Sequence, residues 1–169
     1  LNWKYPQSIM EILEDGSRWG CRIYYRYLNQ IDGPGRQLYL AEEWVGSDEF
    51  LLITGDSLYL NPFDFKEASA PHMWVMPLLE GFDDFTKYSQ VVINGGYVVE
   101  FVKNPDKMVS HYIQTGAWLF ARDMFPIVRK FLDKKGEVRV RDIVEEYIHL
   151  GEVSCTVIPP NSFIDLGTP

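Results

Sequence analysis

Apolar residues fall into short runs along the chain that are typical of β-strands. The run over residues 50–54, FLLIT, is continuous rather than alternating, which is typical of a strand in a parallel sheet covered on both faces. Two runs rich in β-branched residues flank Asn94-Gly95-Gly96 and predict a β-hairpin. Further strands are predicted over residues 21–27, 72–76, 111–121, 152–159 and 163–165.

Other segments carry apolar residues at the spacing of a helix with one buried face. Gly16 suits the end of the first helix, and Gly46 ends the second. Asp123 is expected to cap the third helix, and Asp142, three residues before Glu145, predicts a capping box at the fourth. The predicted helices lie within residues 6–17, 36–45, 122–136 and 141–151.

The alternation of strands with helices, interrupted by one hairpin, predicts a mixed α/β sheet. The chain has 169 residues, of which 46% are hydrophobic and 15% aromatic, so it can bury a core of its own. We therefore expect a single domain over residues 1–169.

Net charge, the length of the apolar runs and the cysteine content exclude several classes of partner and site. The formal net charge is −8, whereas a duplex-binding surface normally carries a basic excess, so nucleic acid is not an expected partner. No apolar run approaches 18 residues, so we expect no membrane contact through a spanning helix. Cys21 and Cys155 show neither a disulfide framework nor zinc spacing. We expect both to be buried in a protein of a reducing, cytoplasmic compartment.

The chemistry suggested by the sequence centres on two aspartates at predicted strand ends. Asp56 lies one residue beyond the glycine that ends FLLIT, and Asp165 ends the short run FID. Asp56 could simply begin a turn or cap the next segment. Ligands of open α/β sheets bind beyond the carboxyl ends of strands, and two carboxylates there can share one Mg²⁺. The sequence alone does not show that these two strands are neighbours.

Six segments occur in the order and at about the spacing found in one enzyme family. They are EDGSRWGCRIYYRYLNQ, FLLITGDSLY, INGGYVVEFVKNP, SHYIQTGAWLFA, KGEVRVRDIVEEYIHLGEV and FIDLGTP. Together they resemble the sugar-1-phosphate nucleotidylyltransferases, especially the glucose-1-phosphate thymidylyltransferase type, over nearly the whole chain. The resemblance implies a Rossmann-like open mixed sheet with flanking helices, as in nucleotide-diphospho-sugar transferases. It also implies Mg²⁺ as cofactor and a nucleoside triphosphate and a sugar 1-phosphate as substrates, giving an NDP-sugar and pyrophosphate.

The resemblance also implies roles for individual residues. Asp56 matches the metal ligand of the family's Gly-Asp pair, and Asp165 matches its C-terminal metal-binding aspartate, so both are expected to be catalytic. The implied substrate-binding residues are Gln30 and Gly35, near the base, and Lys103, Gly116 and Glu137, near the sugar or its phosphate.

The chain also departs from the family pattern. The family's glycine-rich phosphate loop, with its Arg and following Lys, lies in a first βα unit that this sequence does not contain. The family's Glu-Lys-Pro is here Lys103-Asn104-Pro105; a shift of one residue would give Lys103 the lysine role, but Pro105 argues against it. Ser89 replaces a family glycine. We therefore expect an N-terminally incomplete domain, inactive as an isolated chain.

Two hypotheses about function follow, one catalytic and one not. The first is the nucleotidylyltransferase itself, and the second is a relative that binds a nucleotide or nucleotide sugar without catalysis or serves as a regulatory subunit. Because loss of the first strands would uncover an apolar sheet edge, we expect a homo-oligomer, a partner or a missing N-terminal segment.

Other candidate groups have simpler interpretations. Asp83-Asp84 resembles the acidic pair of nucleotide-sugar glycosyltransferases, but it lies in a loop-like stretch and is expected to be solvated. The aromatic residues are most simply core, although Trp3, Tyr5 and Trp118 could contact a partner. The charged run over residues 129–142 is expected to form the wet faces of two helices and their connection.

Overall fold

The computed structural model describes residues 6–26, 33–61, 68–78, 85–103, 105–150 and 153–167. The helices are α1 (Pro6–Leu13), α2 (Pro34–Gln37), α3 (Glu42–Val45), α4 (Met124–Lys130) and α5 (Val140–Leu150). The strands are β1 (Phe50–Ile53), β2 (Ser57–Tyr59), β3 (His72–Pro77), β4 (Gln90–Asn94), β5 (Tyr97–Val102), β6 (Tyr112–Phe120), β7 (Ser154–Val157) and β8 (Phe163–Asp165). Short 3₁₀ turns span Ser17–Trp19, Leu38–Ala41 and Phe85–Lys87.

Six strands form a mixed sheet in the order β1-β6-β3-β7-β5-β4, and β2 pairs with β8 in a separate ribbon. Only the β3–β7 pairing is parallel among the described strands. The mixed α/β architecture is therefore confirmed. The sheet differs from the open one expected, because β6 is long enough to pair with β1 and β3 and also, at Ile113, with Gln90 of β4. This extra pairing closes five of the strands into a ring.

The sheet has a separate core on each face. On β3, Met73 and Val75 point into one cluster, which includes the buried faces of α4 and α5. Trp74 and Met76 alternate with them and point into the other, which packs against Tyr59 and Phe163 of the β2–β8 ribbon. The alternation follows from the two-residue period of a strand. It explains why residues 73–76 are all apolar.

Several predicted elements differ in the structure. β1 is an antiparallel edge strand paired with β6, not a strand inside a parallel sheet, and Ile53 is 42% exposed. Residues 21–26 form no strand; they fold back on the end of α1, where the Ile23 amide donates to the Asp15 carbonyl. The self-association expected from an exposed sheet edge stays a prediction.

The two helix caps predicted at aspartates also differ. Asp123 occupies the N-cap of α4, but its Oδ1 accepts from the Tyr147 hydroxyl instead of capping the helix. α5 begins before Asp142, whose carboxylate reaches back and accepts from the Arg139 amide at 2.7 Å. Asp142 is therefore the residue of a capping box whose side chain accepts from the N-cap amide, and not the N-cap residue itself.

Two further features concern His72 and the cysteines. His72 is buried between the Ser154 and Thr156 hydroxyls, at 2.7 and 3.0 Å, and burial lowers its pKa from the ordinary value of 6.5. The two cysteines are free; Cys21 is exposed, contrary to expectation, and Cys155 is half-buried. Within the described ranges, no helix is both long and apolar enough to cross a bilayer.

Candidate active site

The β2–β8 ribbon brings the two aspartates of the sequence together. Ser57, the first residue of β2, pairs with Asp165, the last residue of β8, and Asp56 immediately precedes this pair. The amide of Leu166 donates to the Asp56 carbonyl at 2.8 Å, which extends the ribbon past both carboxylates. Asp56 thus lies at the start of β2, not only beyond the end of β1, as the sequence suggested.

The position of Gly167 gives an upper limit for the distance between the two carboxylates. A Cβ built on this glycine would lie 2.8 Å from Oδ2 of Asp56 and 3.2 Å from Oδ1 of Asp165. The two oxygens therefore cannot be farther apart than the sum of these distances, about 6 Å. The Gly167 amide also donates to Asp165 Oδ1 at 2.8 Å, which fixes the orientation of that carboxylate.

The carboxylates lie at the wall of a cavity of about 380 Å³. Three acidic and three basic side chains line it: Asp56, Glu137, Asp165, Lys87, Arg139 and Arg141. Glu137 and Arg139 are paired at 3.2 Å. The cavity therefore combines a local carboxylate pair with nearby cationic groups, an arrangement suited to a divalent cation and an anionic ligand.

The segment before α5 directs its charges into this cavity by simple alternation. Val138 and Val140 are buried in the core, so Glu137 and Arg139 project the other way. Arg141, in the first turn of α5, also lines the cavity, and its side chain is only 15% exposed. Arg139, in the connection, is 45% exposed, as expected for this charged run, whereas Arg141, in α5, is only 15% exposed and departs from that expectation.

Two glycines permit the close packing around the cavity. Gly35 lies so near the segment before α5 that an added Cβ would be 2.5 Å from the Arg139 carbonyl, and its amide donates to the Val138 carbonyl. Gly116 has a φ of +77°, and a Cβ there would lie 2.3 Å from Thr54 Oγ1. These contacts fix two loops against the cavity wall.

Tyr59 ties the β2–β8 ribbon to the large sheet. Its hydroxyl donates to the Thr115 carbonyl at 2.6 Å, and its ring packs against Phe163 at a centroid distance of 5.7 Å. Burial raises the pKa of the Tyr59 hydroxyl, so the group stays a neutral donor in the physiological range. The position of both aspartates relative to β6 depends on this contact.

The residues predicted from the sequence are distributed as follows. Four line the cavity: Asp56, Gly116, Glu137 and Asp165. Gly35 does not line it, although its neighbour Pro34 does. Lys103 is exposed and lies outside the lining. Gln30, Asn104 and the pair Asp83-Asp84 lie outside the described residues.

Sequence reasoning missed several lining residues, among them Lys87, Gln114, Arg139 and Arg141. The alternation Val-Arg-Val-Arg over residues 138–141, which runs into the first turn of α5, was a usable signal for the two arginines. Gln114 carried a weaker signal, as a polar residue inside a mostly apolar predicted strand. Trp118, singled out only as an aromatic residue that could contact a partner, lines the cavity as well.

The donor set fits a magnesium ion better than a transition metal. Within the described ranges, no group of three or more His, Cys, Asp or Glu side chains could hold a metal. Mg²⁺ is commonly held by one or two carboxylates, with waters and substrate phosphates completing its shell. Asp56 and Asp165 are a carboxylate pair of this kind.

Comparisons with known proteins relate the whole chain to one family. The family model described as "Nucleotidyl transferase" matches residues 1–169. A glucose-1-phosphate thymidylyltransferase from Xanthomonas campestris is 23% identical over 184 residues, covering 99% of this chain and 59% of that protein. One from Actinoplanes is 24% identical, covering 95% of this chain and 55% of that protein. The chain thus spans less than two thirds of the length of these relatives.

Solved structures show the same fold. A candidate glucose-1-phosphate thymidylyltransferase from Bacillus anthracis, in complex with sucrose, superposes with a TM-score of 0.82 at 21% identity, covering 96% of this chain and 67% of that one. The inositol-1-phosphate CTP transferase from T. maritima superposes with a TM-score of 0.75 at 20% identity, covering 98% and 68%. Because the family model matches the whole sequence, the chain belongs to the nucleotidyl transferase family.

Proposed function

We propose that this chain carries the cation-binding and acceptor-binding part of the active site of a sugar-1-phosphate nucleotidylyltransferase. The observation that supports this most is the approach of Asp56 and Asp165 to one point beside Gly167, at the wall of the cavity. Two carboxylates beside one point can both supply oxygen ligands to a divalent cation, and the bound cation adds a site for phosphate oxygens.

The proposed reaction joins a sugar 1-phosphate to a nucleoside monophosphate unit. A phosphate oxygen of the acceptor forms a bond to the α-phosphorus of a nucleoside triphosphate. The bond from that phosphorus to the bridging oxygen of the β-phosphate breaks, and pyrophosphate leaves with the electron pair. Negative charge on the phosphoryl oxygens must be stabilised in the transition state, so positioning and electrostatics supply most of the catalysis.

The side chains around the cavity take distinct parts in this chemistry. Asp56 and Asp165 would hold Mg²⁺, which when bound neutralises charge on the transferring group and orients it. Arg141, whose largely buried side chain is paired with Asp142 at 3.6 Å, would place a positive charge beside the phosphates. Glu137 pairs with Arg139 and so limits the rotamers that this arginine samples.

A second candidate is a relative that binds nucleotide sugars without catalysis. It is favoured by the position of Lys103, which is exposed and away from the cavity lining, so that it supplies no charge to the acceptor phosphate. Both candidates require an NDP-sugar site that depends on a divalent cation. They differ only in whether pyrophosphate is formed.

Calorimetric titration with UDP-, dTDP- and CDP-glucose, in Mg²⁺ and then in EDTA, tests the shared requirement. We expect at least one ligand to bind in Mg²⁺, and EDTA or Asp56→Asn to weaken it at least 10-fold. Asp106→Asn is the control, because this aspartate is exposed and outside the cavity lining. No binding in Mg²⁺, or equal binding by Asp56→Asn, would refute the proposal. Pyrophosphate release by the product of the whole open reading frame, from nucleoside triphosphate and glucose 1-phosphate, then separates the two candidates.

A further inference from the structure

An exposed turn precedes the segment that directs Glu137 and Arg139 into the cavity. The turn spans residues 133–137, all of which are exposed, and Gly136 within it has a φ of +95°. Among the described residues, the amides of Lys135, Gly136 and Glu137 donate no hydrogen bond to the backbone. An exposed turn with so few backbone hydrogen bonds opens easily unless other groups hold it.

The side chain of Arg36, in α2, holds this turn. Its Nη2 donates to the carbonyl of Lys134 and, at 3.0 Å, to the carbonyl of Gly136. Because the two carbonyls are two residues apart in the chain, one nitrogen of the guanidinium connects both sides of the turn. Hydrogen bonds from a charged donor are stronger than those between neutral groups, and Arg36 is half-buried.

α2 also contacts the residues that follow the turn. The amide of Gly35 donates to the Val138 carbonyl at 3.0 Å. Pro34, the first residue of α2, lines the same cavity as Glu137 and Arg139. The start of α2 and the residues after the exposed turn therefore form one wall of the cavity.

The directions of the Glu137 and Arg139 side chains depend on the backbone that carries them. The two side chains are 51% and 45% exposed, so packing does not fix them, and their ion pair joins them only to each other. On the C-terminal side, the Arg139 amide is held by the Asp142 carboxylate at 2.7 Å. On the N-terminal side, the backbone leads into the turn that Arg36 holds. Loss of that contact would leave the segment held at one end.

We infer that Arg36 is a positioning residue for the anion-binding side of the cavity, because it holds the turn that sets the direction of Arg139. This inference rests on the proposed function and adds to it a residue outside the cavity lining. Arg36 acts on an anionic ligand only through Arg139 and its partner Glu137. The carboxylate pair lies on the separate β2–β8 ribbon, so cation binding does not depend on Arg36.

The test is a double-mutant cycle, measured by calorimetric titration of α-D-glucose 1-phosphate into the 169-residue chain in Mg²⁺. Arg36→Met keeps an aliphatic stem and removes the guanidinium, and Arg139→Met removes the charge through which Arg36 acts. Arg36→Met alone should bind the ligand about 3- to 10-fold more weakly than the original chain, the effect of about one lost hydrogen bond. When Arg139→Met is already present, adding Arg36→Met should change the affinity by less than about twofold.

Further variants separate positioning from a general loss of structure. Arg129→Met is the matched control, because Arg129 is half-exposed, forms an ion pair with Glu42 and lies outside the cavity lining; it should leave the affinity unchanged. Mn²⁺ binding by Arg36→Met should stay within about twofold of the original chain. Circular dichroism checks folding. If Arg36→Met does not fold, Gly136→Ala takes its place in the cycle, since alanine at a φ of +95° strains the same turn.

The possible failures are distinguishable. If the original chain binds neither glucose 1-phosphate nor any NDP-sugar, the proposed function fails. If it binds glucose 1-phosphate and Arg36→Met binds it equally well, the function stands and this inference is overturned. The inference is also overturned if Arg36→Met causes the same loss with and without Arg139, or an equal loss of Mn²⁺ binding, because Arg36 would then only support the fold.

Discussion

Gly167 offers a way to perturb the carboxylate pair without touching either carboxylate. A methyl group at this position would lie 2.8 Å from Asp56 Oδ2, closer than real Cβ contacts, and 3.2 Å from Asp165 Oδ1. The φ of Gly167 lies outside the left-handed range, so alanine causes no backbone strain there. Gly167→Ala should therefore displace the two side chains and leave the fold intact.

The size of the effect follows from the contact distances. Ordinary contact begins at 3.4 Å, so Asp56 Oδ2 must retreat by about 0.6 Å. Mg²⁺ requires ligands at about 2.0–2.1 Å, and a sound site tolerates deviations of about 0.2 Å. A displacement of about three times that tolerance should weaken cation binding about 10- to 100-fold, or 1.4–2.7 kcal/mol, as loss of outer-shell support does at other metal sites. Unfolding stability should change by less than about 1 kcal/mol, because the displaced atoms end a side chain.

The assay is titration with Mn²⁺, followed by the decrease of the free-ion electron paramagnetic resonance signal. Gly55→Ala is the matched control, since Gly55 adjoins Asp56 and a Cβ there would meet nothing within 4 Å. The expected result is weaker binding in Gly167→Ala and unchanged binding in Gly55→Ala. Equal affinity in all three proteins would refute the reasoning, because the carboxylates would then not act on a shared ion.

Two further predictions concern stability. Burial lowers the pKa of His72 below 6.5, so the unfolded chain binds the proton first as pH falls, and stability is lost from about pH 7 down through the folded-state pKa. His72→Gln should flatten the fall in Tm between about pH 7.5 and 5.5, and the exposed His149→Gln should not; parallel curves for all three proteins would contradict this. Gly35→Ala would bring a Cβ within 2.5 Å of the Arg139 carbonyl, so urea unfolding should show a loss of about 1–3 kcal/mol. Gly55→Ala should stay near the original value, and an unchanged midpoint for Gly35→Ala would show that the loop can move away.

Patterns that depend on neighbouring residues were predicted well from the sequence. The hairpin around Gly95-Gly96, the strands β3 and β6 and the apolar stripe of α4 all follow from local periodicity and turn chemistry. The failures depend on tertiary partners. Residues 21–26 have strand-like composition but fold back on α1, and the direction of β1 was wrong because periodicity does not show which strand lies beside it.

The candidate site divides in the same way. Because Asp56 and Asp165 are carboxylates at predicted strand ends, the sequence suggested a cation site. Their proximity, however, depends on the β2–β8 pairing, which links residues more than a hundred positions apart. The roles of Arg139, Arg141 and Trp118 depend on which wall of a cavity each side chain reaches. Local sequence patterns do not show which wall of a cavity a side chain reaches. The alternation of Val and Arg over residues 138–141 indicates it only in part.

The proposed function depends most on the binding of one divalent cation by both Asp56 and Asp165. Crystals of the chain soaked in Mn²⁺, with data collected at the manganese absorption edge, test this directly through the anomalous difference map. We expect one peak with an oxygen of each carboxylate about 2.1 Å away, and none after Asp165→Asn. A map with no peak beside Gly167, or a peak that contacts only one of the two carboxylates, would contradict the account.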